Sequence, residues 1–276
     1  DREPNQGGLI QTEAGDWWFI THQGRGGFFE GRPCSLLPVK WVDGWPVPGV
    51  VDTNTGAGTI NWTGRKPIDG FPTHVPQSSE EFDSAALGPQ WEWNYQPRAN
   101  KWSLTERPGW LRLHAFKPLQ RGEFFKAGNT LTQRVMGYEG GEVVLKMDVT
   151  SMADGQTAGL CAFWKPAALL GVSQREGVRR IQFSDGATNI IEAEFKSPEI
   201  WLKGRIDSSA VCTFAWSVDG RKFEPIGGTF PLGWHNYRGS RLGIFCWNDD
   251  AEAGSVDVDW FHYDYAGPHT KGSASR

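Results

Sequence analysis

Between Glu80 and Tyr265 the apolar residues come in short runs or alternate with polar ones, the period of two that a strand imposes. Residues 110–115 (WLRLHA), 130–135 (TLTQRV), 142–149 (EVVLKMDV) and 158–164 (AGLCAFW) carry this pattern. So do 180–183, 200–206, 211–218, 242–247 and 255–263. The dipeptide Asp219-Gly220 in SVDGRKF predicts a two-residue hairpin turn. A dozen or so short strands with turn residues between them, and little helical periodicity, predict one double-sheet β-sandwich over residues 79–266.

The first fifty residues repeat the alternation on a smaller scale. Residues 5–49 read as strand, turn, strand, loop, strand, a small sheet with unpaired edges. Residues 51–78 are rich in Gly, Pro, Asn and Thr and predict an extended connector; residues 267–276 read as a disordered tail. Residues 1–50 are therefore expected to be the last piece of a different, earlier domain. The fold class is all-β.

Composition narrows the partners. No apolar stretch of 18 residues occurs, so no membrane-spanning helix is expected. A net charge of −4 argues against a nucleic-acid partner, because phosphate binding needs a basic face. Fifteen tryptophans suit either sugar stacking or a packed core. The four cysteines form no CxxC pair, and Cys161, Cys212 and Cys246 sit in apolar runs as small buried hydrophobes.

Two groups of motifs then carry a resemblance. NQGGLIQTEAGDWWFITHQ followed by GRPCSLLPVKWVDGWPVPG resembles the last blade of the five-bladed β-propeller of glycoside hydrolase family 43. SSEEFDSAALGPQWEWNYQP, NTLTQRV, TAGLCAF, FAWSVDGRKFEPIGGTF and VDVDWFHYDY resemble the C-terminal concanavalin-like sandwich of its two-domain β-xylosidases and α-L-arabinofuranosidases. The resemblance implies an inverting glycosidase, in which one carboxylate activates water and a carboxylic acid protonates the leaving oxygen. In the family those carboxylates sit on earlier blades, so none is expected in this chain. The N-terminal propeller portion, as a separate chain, is the expected partner. Glu13 and Asp16 are explained by a turn; Glu30 follows a loop that could border a pocket.

The resemblance also marks residues that are present. Arg32 matches the family arginine that reaches a substrate hydroxyl in the innermost subsite, a task suited to a fixed, always charged fork of donors. Gln6 falls where many relatives carry a histidine facing the propeller's central channel, sometimes beside a bound calcium. An amide still coordinates through its carbonyl oxygen, so a metal there stays open. His22 leaves a strand end where active-site loops gather. Phe28 and Phe29 form either an aromatic wall for the sugar or a packing surface against the sandwich. Phe124 and Phe125, in HAFKPLQRGEFFKAGNT, lie on the sandwich loop that limits the pocket in two-domain relatives. Asp83 and Asp259 match regions that hold a structural calcium in related sandwiches, with Asp257 and Asp264 as rival ligands.

Three roles follow for the sandwich. It belongs to an enzyme releasing xylosyl or arabinofuranosyl units from oligosaccharides, it is a carbohydrate-binding module, or it braces the propeller and closes one side of its pocket. An exposed aromatic row across a sheet face would favour the module.

Overall fold

A computed structural model describes residues 4–23, 29–60, 63–71, 75–76, 78–136, 140–234 and 238–265. Strands β1 (Pro4–Gln11), β2 (Trp17–Gln23), β3 (Cys34–Val42) and β4 (Trp45–Pro48) pair antiparallel in chain order. This up-and-down sheet has the form of one propeller blade. The pattern of residues 5–49 foresees three strands, and the structure has a fourth. Asp43 and Gly44, with φ of 49° and 81°, turn the chain in two residues so that Val42 pairs with Trp45. Both positive φ values belong to the turn type that matches strand twist.

The same dipeptide behaves otherwise in the sandwich. Asp219-Gly220 does not make the expected two-residue turn but lies in a longer loop, residues 218–223. Side chains redirect the backbone there. Ser217 Oγ accepts from the N–H groups of Asp219 and Gly220, and Asp219 Oδ1 accepts from those of Arg221 and Lys222. Local side-chain acceptors of this kind compete with the ladder.

After the blade, β5 (Val50–Val51) and β6 (Gly58–Thr59) form a two-stranded ladder inside the connector, which Arg65 ties to Asp16 of the blade at 3.2 Å. The sandwich opens where Glu80 bridges Phe261. Its strands are β7 (Glu92–Trp93), β8 (Trp102–Ser103), β9 (Leu111–His114), β10 (Thr130–Arg134), β11 (Gly141–Asp148), β12 (Gln156–Phe163) and β13 (Ala168–Arg175). They continue as β14 (Val178–Ser184), β15 (Asn189–Glu194), β16 (Glu199–Ile206), β17 (Val211–Ser217), β18 (Glu224–Pro231), β19 (Arg241–Asn248) and β20 (Ser255–Tyr265). One seven-stranded sheet runs β15-β14-β13-β12-β19-β10-β7 and the other β18-β17-β16-β11-β20-β9-β8. Leu145, Met147 and Val258 from one sheet meet Leu160, Val172 and Ile244 from the other in a core without solvent access. Burial pushes the thiols of Cys212 and Cys246 up to about 12, so both are inert packing groups.

The second sheet carries a polar network on its other face. Asp257 receives Arg112 through two bonds, 2.7 and 2.8 Å, and Arg107 at 2.8 Å; Arg107 also reaches Asp148 at 2.8 Å. Burial raises the pKa of Asp148, but bonds from Thr150 and Arg107 more than offset it, leaving the carboxyl below its usual range. A lowered folded-state pKa contributes stability above the unfolded value and loses it as pH falls through the folded one. Acid melting below about pH 4 should therefore be less steep in Asp148→Asn, which has already lost this term at neutral pH. Identical slopes in thermal melts between pH 2 and 5 would remove Asp148 from the acid response.

Candidate functional site

Gln6, His22 and Arg32 come together at one end of the blade. A bulge between Asn5 and Gly7 interrupts the β1–β2 register, and Gln6 takes a φ of 53° there. Gly7 permits the close approach, since a Cβ on it would stand 2.1 Å from the Ile20 carbonyl oxygen. Thr21 Oγ1 donates to the Gln6 main-chain carbonyl at 2.8 Å. The Gln6 amide oxygen lies 2.9 Å from His22 Nε2 and accepts from Arg32 Nη1 at 3.2 Å. His22 Nδ1 is buried and has no hydrogen-bond partner. Donation from Nε2 leaves Nδ1 as an acceptor. The cluster thus holds a guanidinium, a group that suits sugar hydroxyls, in place through the Gln6 amide that it shares with His22.

The loop that delivers Arg32 is held by the sandwich. Phe29 is 3% exposed and joins the sandwich core, its carbonyl accepting from the Ser240 N–H at 2.7 Å. The Glu30 carbonyl accepts from Arg134 at 2.6 Å. Of the two readings of Phe29, packing against the sandwich is the one that the structure places; the ring is an anchor and not a sugar wall. Phe28 lies outside the described residues. Phe124 is 8% exposed and packs on Phe163, Phe245 and Trp247. Phe125 is half-buried against Phe124 and Phe163. These rings form a satellite core of the sandwich, with Phe124 inside it and Phe125 at its margin.

Glu30 is the only Asp or Glu of the blade near this end among the described residues. Asp16 pairs with Arg65 and lies six positions before His22 along β2, roughly 20 Å away at the rise of a strand. Glu13 shares the turn before Asp16, and Asp43 lies at the far end of β3. One oxygen of Glu30, Oε2, is buried without a partner.

The two metal expectations meet the same obstacle. Gln6 Oε1 already serves His22 and Arg32, and a cation there would face the guanidinium. In the sandwich the first and last strand regions do adjoin, through the Glu80–Phe261 bridge. Yet Asp259 pairs with Lys146 at 3.0 Å, Asp257 is taken by two arginines, and Asp83 is exposed. Calcium needs six to eight oxygens, and three basic side chains occupy this neighbourhood. No group of three or more metal-type side chains occurs among the described residues. The donor set does not fit calcium. Chelator should leave the melting temperature unchanged, and a drop reversed by added calcium would overturn this reading.

A cleft of about 610 Å³ lies elsewhere on the blade, lined by Trp17, Trp18, Leu36, Val39, Val50 and Arg65. It adjoins an uncovered apolar stripe in which Ile20 and its cross-strand partner Leu36 are 45% and 42% exposed.

Comparison with known proteins places this architecture. Residues 79–264 match the family model described as the β-xylosidase C-terminal concanavalin A-like domain. A β-xylosidase of Formosa agariphila is 39% identical over 290 residues, covering 97% of this chain and 49% of that protein. A bifunctional GH43-CE protein of Bacteroides eggerthii superposes with a TM-score of 0.75 at 28% identity, covering 96% of this chain and 34% of that one. A GH43 enzyme engineered to display both endo-xylanase and exo-arabinofuranosidase activity gives 0.76 at 26% identity, over 95% and 54%. The chain spans about half the length of the curated relatives it matches. On a matched domain that takes up more than half of its length, the chain belongs to glycoside hydrolase family 43.

Proposed function

We propose that this chain is part of an inverting glycosidase that releases terminal xylosyl or α-L-arabinofuranosyl units from plant cell-wall oligosaccharides. The observation that carries the reading is the convergence of Arg32, His22 and Gln6 at one end of the blade, with Arg32 on a loop clamped by the sandwich. In this proposal β1–β4 are the last blade of a propeller, and the acid and base reside on its other blades. Those blades, in the N-terminal propeller portion, cover the stripe around Ile20 and Leu36. The sandwich holds the Arg32 loop in place, so its bracing role serves the catalytic one. Turnover of nitrophenyl xyloside and nitrophenyl arabinofuranoside by the complete enzyme tests the activity, and no hydrolysis of either would refute it.

The binding-module reading looks first to the aromatic face of the second sheet. Trp201 and Trp260 both stand directly across from Lys146. But Lys146 lies 5.5 Å from the Trp201 ring centroid and 5.2 Å from that of Trp110, and Arg107 covers Trp110 at 3.6 Å. His262 stacks on Trp260 at 4.1 Å. These rings spend faces on internal cation and ring contacts, which leaves the enzyme reading favoured.

A further inference from the structure

We infer that the rim of the first sandwich sheet, beside the Arg32 loop, is a subsite for the carboxylate of an acidic sugar. Arg134 on β10 and Arg241 on β19 are direct cross-strand partners. Like charges in that relation are unfavourable, and Arg241 is only 7% exposed. Arg238 makes a third guanidinium. Among the described residues the single carboxylate ion-paired to any of the three is Glu92, and it is fully used. Its Oε2 meets Arg241 at 2.6 Å and its Oε1 meets Arg238. Arg134 has only the Glu30 main-chain carbonyl, and the buried Nε of Arg241 has no partner. Burial and the two neighbouring guanidinia outweigh Glu92 and lower the Arg241 pKa from its ordinary value. Two positive charges thus remain without a counter-charge beside an unsatisfied donor.

The surroundings select the ligand. The half-buried Trp164 ring lies 5.5 Å from the Arg238 guanidinium. An aromatic ring beside a forked donor set matches a pyranose bearing a carboxylate, which guanidinium binds in a two-bond fork. The position selects it too. Arg134 holds the carbonyl of Glu30, two residues before Arg32, and two residues of chain span at most about 7 Å. A hexuronate substituent on a neutral sugar chain could therefore reach the rim while the chain approached Arg32. The choice of a sugar carboxylate rests on the glycosidase reading, whereas the anion subsite itself does not.

Titration calorimetry on the complete protein decides the matter, with three probes: xylotriose, xylotriose carrying one glucuronyl substituent, and sodium glucuronate. The substituted trimer should bind about tenfold or more tightly than the plain one, the value of a charge-assisted hydrogen bond. Arg238→Ala and Arg134→Ala should each remove most of that gain, as should 0.5 M salt, an ionic strength at which an exposed anion–cation contact is largely screened. Arg238→Lys should keep part of it. Binding of free glucuronate as well would assign the subsite to any hexuronate, and its absence would assign it to the decorated chain. Equal affinity for the two trimers, or a gain that survives both alanine variants, overturns the inference. Hydrolysis of a nitrophenyl glycoside, measured in parallel, should be unchanged in Arg238→Ala. Its absence in the unmodified enzyme would count against the glycosidase reading alone.

Discussion

Arg32→Ala in the complete enzyme should lower kcat/KM by a factor of about 30 to 1000 while leaving the melting temperature nearly unchanged. The first half follows from chemistry. The Arg32 guanidinium, held at 3.2 Å from the Gln6 amide oxygen, is an always charged, forked donor of the kind that a sugar hydroxyl accepts from. A charge-assisted bond strengthened in the transition state is worth on the order of 2–4 kcal/mol. The second half follows from where the loop draws its stability, which is the burial of Phe29 and the Ser240 and Arg134 bonds to its carbonyls. Arg32→Lys should recover little, because one ammonium cannot reproduce the fork. Steady-state kinetics on nitrophenyl xyloside and arabinofuranoside, with a thermal melt of each variant, measure both halves. Unchanged kinetics would remove Arg32 from the site.

The strands that alternate cleanly were legible in the sequence because their faces differ in solvent exposure. Glu142–Val149 is the clearest, since β11 sends Val143, Leu145 and Met147 into the core. The strands that were not legible are of another kind. In β13 the run Ala168-Leu169-Leu170-Gly171 lacks alternation, being buried on most of its length. Its link to β14 is a two-residue turn at Glu176 and Gly177, with φ of 52° and 72°. β18 contains Pro225, Gly227, Gly228 and Pro231, which argue against a central strand but are tolerated at a sheet edge, where it lies.

At the site, a motif identified Arg32, Gln6 and His22 singly, and the bulge that joins them left no mark in the hydrophobic pattern. The phenylalanines were ambiguous for a physical reason. An aromatic ring serves a sugar wall and a packed core equally well, and only burial separates the two. Arg134 and Arg241 went unnoticed because they are 107 positions apart in the chain and meet only through the β10–β19 register.

Residues 1–276 expressed alone should show no substantial xylosidase or arabinofuranosidase turnover, and adding the N-terminal propeller portion should restore it. An inverting glycosidase needs two carboxyl groups about 6.5–9.5 Å apart. The end of the blade that gathers Arg32 and His22 offers one, Glu30, and Asp16 stands roughly 20 Å off on the same sheet. Glu92 is committed to Arg238 and Arg241. The blade's own surface points the same way. Ile10, Ile20 and Leu36 leave an apolar stripe open, and Trp45 is 75% exposed, on a sheet whose edge strands β1 and β4 have no outer partner among the described residues. Raw edges and an apolar face of this kind are ordinarily covered. Burying the stripe under a neighbouring blade would cover the apolar face and bring carboxylates toward Arg32. The measurement is turnover of both nitrophenyl substrates by the isolated chain, then by the mixture, with light scattering to report association. Turnover by the isolated chain approaching that of the complete enzyme would place the acid and base within residues 1–276, and Glu30→Gln would be the first variant to make.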